Sequence, residues 1–143
     1  MSKKIITILL NINKAISYDK DNAHATKYLL MMSYAQHELG NFFEEKKALA
    51  DLLKIDDKNA EGLYRLGLMY VVQHDIKNAE ESFKKAILYD PELVQAKYNL
   101  ALLYENSNRD RARELYIEVL EQNPSFVEAK NALTDLTSST DTF

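Results

Sequence analysis

With 143 residues, 46% of them hydrophobic and 28% charged, the chain is one domain's worth of protein and has neither a disordered nor a membrane-spanning composition. It has no cysteine, which excludes disulfides and thiolate metal sites and fits a reducing compartment, so a cytoplasmic location is the expectation. Residues 1–58 carry nine Lys/Arg against eight Asp/Glu (+1) and residues 59–143 nine against fourteen (−5), a net −4 whose acidic half argues against a nucleic-acid partner.

Apolar residues recur at helical spacing nearly throughout, and the polar breaks carry capping residues. The first predicted helix, about 3–18, sets Ile5, Ile8, Leu9, Ile12 and Ile16 on one side. Met1-Ser2-Lys3-Lys4 ahead of the run Ile5–Leu10 has the order of a secretion signal. Asn11 and Asn13 cut that run short and no small-residue cleavage site follows, so a packed helix is expected and no membrane partner. A second helix, about 22–39, stops at Gly40, a residue suited to the left-handed conformation that closes helices. Asn41 is the cap expected for a third, about 42–55, with Phe42, Leu49, Leu52 and Leu53 as its apolar stripe.

The fourth helix, about 59–73, offers Leu63, Leu66, Gly67 and Tyr70 to its partner, and Asp75 caps a fifth, about 76–89, that buries Ala79, Phe83 and Ala86. Asp90-Pro91 is expected to open the sixth, because a proline's missing N–H costs nothing in a first helical turn. Asn108 caps the seventh, about 109–122, and Asn123-Pro124 repeats the cap-plus-proline device for an eighth, about 124–136. Residues 137–143 have too little apolar surface to order and read as a disordered tail. Connections this short force helix pairs into antiparallel hairpins, and no strand signal competes.

A repeat underlies the pattern. Tyr64, Leu66, Gly67 and Tyr70 recur 34 residues later as Tyr98, Leu100, Ala101 and Tyr104. Ala79, Phe83, Ala86 and Pro91 recur after 33 as Ala112, Tyr116, Val119 and Pro124. A period of this length means stacked hairpins, each too small to bury its own apolar face. Small residues at 67, 79, 101 and 112 allow close helix approach, and Phe83 and Tyr116 fill the space between hairpins. These positions hold the fold rather than a ligand.

With Leu66-Gly67-x-x-Tyr70 followed by Ala79, Phe83, Ala86 and Pro91, the chain resembles the tetratricopeptide repeat (TPR) family. The resemblance places repeats at about 26–59, 60–93 and 94–126, inside a single domain spanning 1–136. The first repeat departs most: Ser33, Gln36 and Glu45 stand where a small residue, a tyrosine and an alanine are usual. It implies an all-α right-handed superhelix of three hairpins, with an N-terminal helix and a C-terminal capping helix.

In TPR proteins the first helices of successive repeats line a concave groove, so the resemblance also implies which residues face a ligand. These are Lys27, Leu30 and Tyr34 in repeat one, Glu61, Tyr64 and Leu68 in repeat two, and Gln95, Tyr98, Asn99 and Leu102 in repeat three, with Glu128 and Asn131 from the last helix. The pairs Tyr64/Leu68 and Tyr98/Leu102 share a helix face by spacing alone. The expected groove is a tyrosine–leucine strip with few charges, suited to an apolar or amphipathic peptide. TPR domains that grip acidic chaperone tails use a clamp of Lys, Asn, Asn, Lys and Arg. Here only Asn99 matches; Tyr64, Leu68, Glu128 and Ala132 occupy the other four positions, so chaperone-tail binding is not expected.

Catalytic and metal chemistry find no foothold in the sequence. No two of His24, His37 and His74 share a helix face, and adjacent carboxylates such as Glu44-Glu45 read as surface or cap residues. No glycine-rich phosphate loop, nucleophile elbow or HExxH is present. The expectation is a non-enzymatic scaffold or adaptor without cofactors, binding a protein or peptide partner, as a monomer or a weak homo-oligomer through its end helices. Two alternatives differ in class. One is a small chaperone for secreted hydrophobic proteins, like those of type III secretion; the other is a self-associating structural module.

Overall fold

The computed structural model describes residues 3–18 and 24–138, apart from the side chains of Ile16 and Tyr18. Among these residues there are eight helices and no strand: α1 (Lys3–Tyr18), α2 (Ala25–Glu38), α3 (Phe42–Ile55), α4 (Ala60–Val72), α5 (Ile76–Tyr89), α6 (Val94–Tyr104), α7 (Arg109–Gln122) and α8 (Val127–Ser138). α2 packs on α3, α4 on α5 and α6 on α7 as three hairpins, which stack in sequence order through α3–α4 and α5–α6 contacts. α1 lies against α2 and α8 against α7. The architecture is an all-α repeat superhelix.

Residues in equivalent positions of the three hairpins meet the same fate. Ser33, Gly67 and Ala101 are all buried, as are Glu45, Ala79 and Ala112. Leu49, Phe83 and Tyr116 have no exposed surface, nor do Leu52, Ala86 and Val119. The degenerate first hairpin therefore runs in the same register as the other two. Gly67 is there for space: a Cβ would lie 2.5 Å from the Phe83 ring. The main core runs from Ala79 and Phe83 through Leu100 and Ala101 to Leu115, Tyr116, Ala129 and Leu136, joining hairpins two and three to α8. Burial on this scale is the dominant stabilising term in any repeat stack.

The turns inside hairpins one and two share a geometry. Gly40 has φ 70° and His74, 34 residues later, has φ 58°. Each closes its helix with the same bonds: Gly40 N–H to His37 and Asn41 N–H to Gln36, then His74 N–H to Val71 and Asp75 N–H to Tyr70. Asp75 and Asn108 cap α5 and α7 through Asn78 N–H and Arg111 N–H, both at 3.2 Å. Asn41 does not cap α3; its amide donates to Gln36 Oε1 instead, at 3.0 Å.

Links between hairpins differ from the sequence expectation. α6 and α8 begin at Val94 and Val127, three residues beyond their prolines. Asp90-Pro91-Glu92-Leu93 and Asn123-Pro124-Ser125-Phe126 each fold as a turn first, closed by Leu93 N–H to Asp90 (3.2 Å) and Phe126 N–H to Asn123 (3.1 Å). Asp at the first and Pro at the second position of such a turn carry the same sequence signal as a capped helix start. The Asp56–Asn59 link is the same device, closed by Asn59 N–H to Asp56, after which Asn59 Oδ1 accepts from Gly62 N–H at 2.9 Å.

The expected second helix reached back to 22, and residues 22–23 lie outside those described. Phe42 and Ile8, assigned to apolar stripes, are exposed, whereas Ile12 is buried. Thr137 and Ser138, assigned to a tail, continue α8, each hydroxyl donating to the Thr134 carbonyl at 2.8 Å. Residues 139–143 lie outside the described part.

Candidate functional site

Along one side of the stack, side-chain contacts link α2 to α4, α4 to α6 and α6 to the turn that leads into α8. Tyr34 on α2 donates its hydroxyl to Glu61 on α4, and the Arg65 guanidinium lies over the Tyr34 ring at 3.9 Å. Tyr64 on α4 accepts from Asn99 Nδ2 on α6 at 3.4 Å, while Asn99 also donates to the Gln95 carbonyl at 2.8 Å. Tyr98 on α6 packs between Tyr116 (5.8 Å between ring centres) and Phe126 (5.1 Å), just ahead of α8. Tyr98, Glu128 and Asn131 line an open hollow of about 470 Å³ with Glu105, Arg109 and Asp135.

Among the residues expected on this face, Lys27, Tyr34, Gln95, Leu102, Glu128 and Asn131 are exposed, and Leu30, Glu61, Tyr64, Leu68, Tyr98 and Asn99 are half-buried. Tyr64 and Tyr98 are thus not free anchors. Their rings brace the scaffold, Tyr64 against Phe83 at 6.0 Å, and only an edge remains for a ligand. Tyr34 and Leu102, 43% and 39% exposed, are the apolar side chains of this set left most open.

All three phenols are pushed above their ordinary range. For Tyr34 burial is the main cause, followed by the bond to Glu61; for Tyr64, burial and then the Glu61 charge; for Tyr98, burial and then the Glu128 and Glu105 charges. Each therefore stays a neutral hydroxyl at physiological pH. Neutral phenols, flanking amides and leucines can hold a peptide through its main chain and its apolar side chains. Among the described residues no three His, Asp or Glu side chains converge as metal ligands would.

Sequence reasoning missed a second constellation. Glu45, read as a surface or cap carboxylate, is only 2% exposed. Its Oε1 accepts from Arg65 at 2.7 Å and its Oε2 lies 3.0 Å from His37 Nδ1. Arg65 is itself 6% exposed, so the pair is a buried salt bridge joining hairpin one to hairpin two. The signal was available: Glu45 replaces the usual small residue, and Arg65 interrupts the apolar run from Leu63 to Val72. Two opposite charges in register on facing helices compensate each other.

Tetratricopeptide repeat family models match residues 60–93 and 95–125. Its second and third hairpins are tetratricopeptide repeats. No curated protein sequence matches it. Among solved structures, PilF of Pseudomonas aeruginosa superposes with a TM-score of 0.83 at 16% identity, over 96% of this chain and 62% of that one. A tetratricopeptide repeat protein from Parabacteroides merdae gives 0.79 at 20%, over 96% and 55%. The first TPR domain of Spaghetti (RPAP3), bound to an HSP90 peptide, gives 0.74 at 17%, over 82% and 97%. At such identities the likeness is one of fold. No helix among the described residues is long and apolar enough to cross a membrane.

Proposed function

We propose that this protein is a scaffold or adaptor that holds a peptide or helix of a partner protein along the α2–α4–α6–α8 face. The observation that carries this reading is the exposure of Tyr34 and Leu102, 43% and 39%, on a face whose remaining apolar residues, Leu30, Tyr64, Leu68 and Tyr98, are half-buried. Leu30, Leu68, Gln95, Asn99 and Leu102 supply the apolar and amide surface between them, and Glu61 and Glu128 the flanking charge. The TPR domain of Spaghetti binds an HSP90 peptide, but four of the five clamp positions are lost here, and Glu128 would repel an acidic tail. The ligand suited to this face is an apolar or amphipathic segment.

Placing a photo-crosslinking amino acid at Leu102, and separately at Ile117 on α7, tests the assignment in the native cell. Both sites are exposed. The expected result is a defined partner crosslinked from position 102 and absent from 117. Leu102→Arg should then weaken binding of that purified partner roughly tenfold or more, since burying one large apolar side chain is worth that much. Crosslinking from 117 alone would refute the face.

A second reading, self-association, is favoured by the outer side of α1, where Leu10 is 65% exposed and Ile6 is exposed beside it. Solenoid ends ordinarily need a polar outer face for solubility. Light scattering across a concentration series decides it: a mass of one chain throughout removes this reading.

A further inference from the structure

α1 meets α2 as α3 meets α4, α5 meets α6 and α7 meets α8, so it holds the place of a hairpin's second helix. α3, α5 and α7 each have a first helix folded back on them, and among the described residues α1 has none. In that place is an open hollow of about 330 Å³, lined by Ile8, Asn11, Ile12 and Ala15 of α1 and by Tyr28 and Met31 of α2. Ile8 and Met31 are exposed at its wall.

The other junctions show what fills such a place. Met31 becomes Arg65 and then Asn99 at successive 34-residue steps. Each of those reaches the first helix before its own: Arg65 lies over Tyr34 at 3.9 Å, and Asn99 donates to Tyr64 at 3.4 Å. Lys27 is likewise equivalent to Glu61, which accepts the Tyr34 hydroxyl. Lys27 and Met31 therefore stand where α2 would grip a preceding first helix, and both are exposed. The chemistry of the grip is changed. Position 31 is apolar, and position 27 holds a cation where its counterpart is a carboxylate. Lys4 lies one turn before Ile8 on the same stripe of α1, and α1 carries three lysines and no carboxylate.

We infer that the hollow between α1 and α2 receives an amphipathic helix of a partner protein, its apolar stripe against Ile8, Ile12 and Met31 and its carboxylates facing Lys4 and Lys27. The helical form follows from what occupies the equivalent places, namely α2, α4 and α6. The acidic flank follows from the two lysines. The α1 helix of a second copy is the wrong occupant, because it would set Lys3, Lys4 and Lys14 against the same cations. The inference goes beyond the groove reading and needs neither Tyr64 nor Leu102, since the seat lies past α2 at the end of the stack.

The probes are synthetic helices of about 14 residues, the length of α3 and α5. One has leucine at every third or fourth position flanked by glutamate, a second has lysine for glutamate, and a third has alanine for leucine. Each is titrated into the whole protein while amide resonances are followed by NMR. The expected result is saturable shifts at Ile8, Ile12 and Met31 with the first, at least about fivefold weaker binding of the second, and no saturation with the third. Lys27→Glu, at an exposed position, should turn the preference toward the lysine helix without moving the melting temperature. Equal binding of the glutamate and lysine helices, or a preference that Lys27→Glu leaves unaltered, overturns the proposal. Shifts at the same residues that grow with protein concentration alone would give the seat to a second copy and overturn it as well. Shifts confined to Tyr64, Leu68 and Leu102 would overturn it in favour of the groove. Leu102→Arg keeps the two readings apart: it should leave binding at the seat unchanged while weakening capture along the groove.

Discussion

The junction between hairpins one and two and the junction between hairpins two and three solve one packing problem with opposite chemistry. At the second, Phe83 lies within an apolar core that includes Leu100 and Ala101. At the first, the position equivalent to Ala79 holds Glu45, and Arg65 reaches it from α4. An apolar contact is stable in any neighbourhood that excludes water. A buried ion pair is stable only while both partners are present, because the desolvation of each charge is offset by the other. The second junction is therefore robust packing. The first is a conditional joint, and it is the one that carries the exposed Tyr34.

Phe83→Ala should give the largest effect, a loss of about 3–5 kcal/mol in chemical denaturation, since it empties the apolar junction. Breaking the polar joint with Arg65→Met should cost about as much or slightly less, roughly 3 kcal/mol, by stranding Glu45 in the interior. The sharper comparison is Arg65→Met combined with Glu45→Leu. That double variant should regain most of the loss, which a circular-dichroism melt would show; no recovery would mean that the pair does more than fill space. Gly67→Ala should cost about 1–3 kcal/mol, as a methyl group forces the Phe83 ring to move.

His74→Gly should produce the smallest change, a gain of about 0.5–1 kcal/mol, because histidine there holds a left-handed backbone that glycine adopts freely. Alkaline pH probes the second junction and the hairpin beyond it. Tyr64, Tyr98 and Tyr116 have phenols raised above their unfolded value, chiefly by burial. The stability they confer is complete below about pH 10 and is lost as pH rises through their folded values. Denaturation midpoints measured from pH 8 to 11 should be flat and then fall, with phenolate absorbance appearing as the fold opens.

Much of this fold can be read from the residues themselves, because repetition compares the chain with itself. The ranges of α3, α5 and α7, the close approach at Gly67 and the buried role of Phe83 and Tyr116 all follow from the 33- to 34-residue period. The starts of α6 and α8 are illegible for a local reason: Asp-Pro and Asn-Pro open a turn as readily as they open a helix. The Glu45–Arg65 pair is legible only in part: each charge stands out in its own helix, but that the two meet is a tertiary fact. The tyrosine row lies between these cases. The 34-residue spacing of Tyr64 and Tyr98 is visible in sequence, but the stacking of Tyr98 between Tyr116 and Phe126, which turns an anchor into a brace, is not.

The central claim is that the first helices of the repeats present the binding surface while the second helices are scaffold. Amide hydrogen exchange of the free protein against its complex with a purified partner segment tests it most directly. The account expects new protection confined to α2, α4, α6 and α8, strongest near Tyr34, Leu68 and Leu102. Protection that falls instead on α3, α5 and α7 would contradict it.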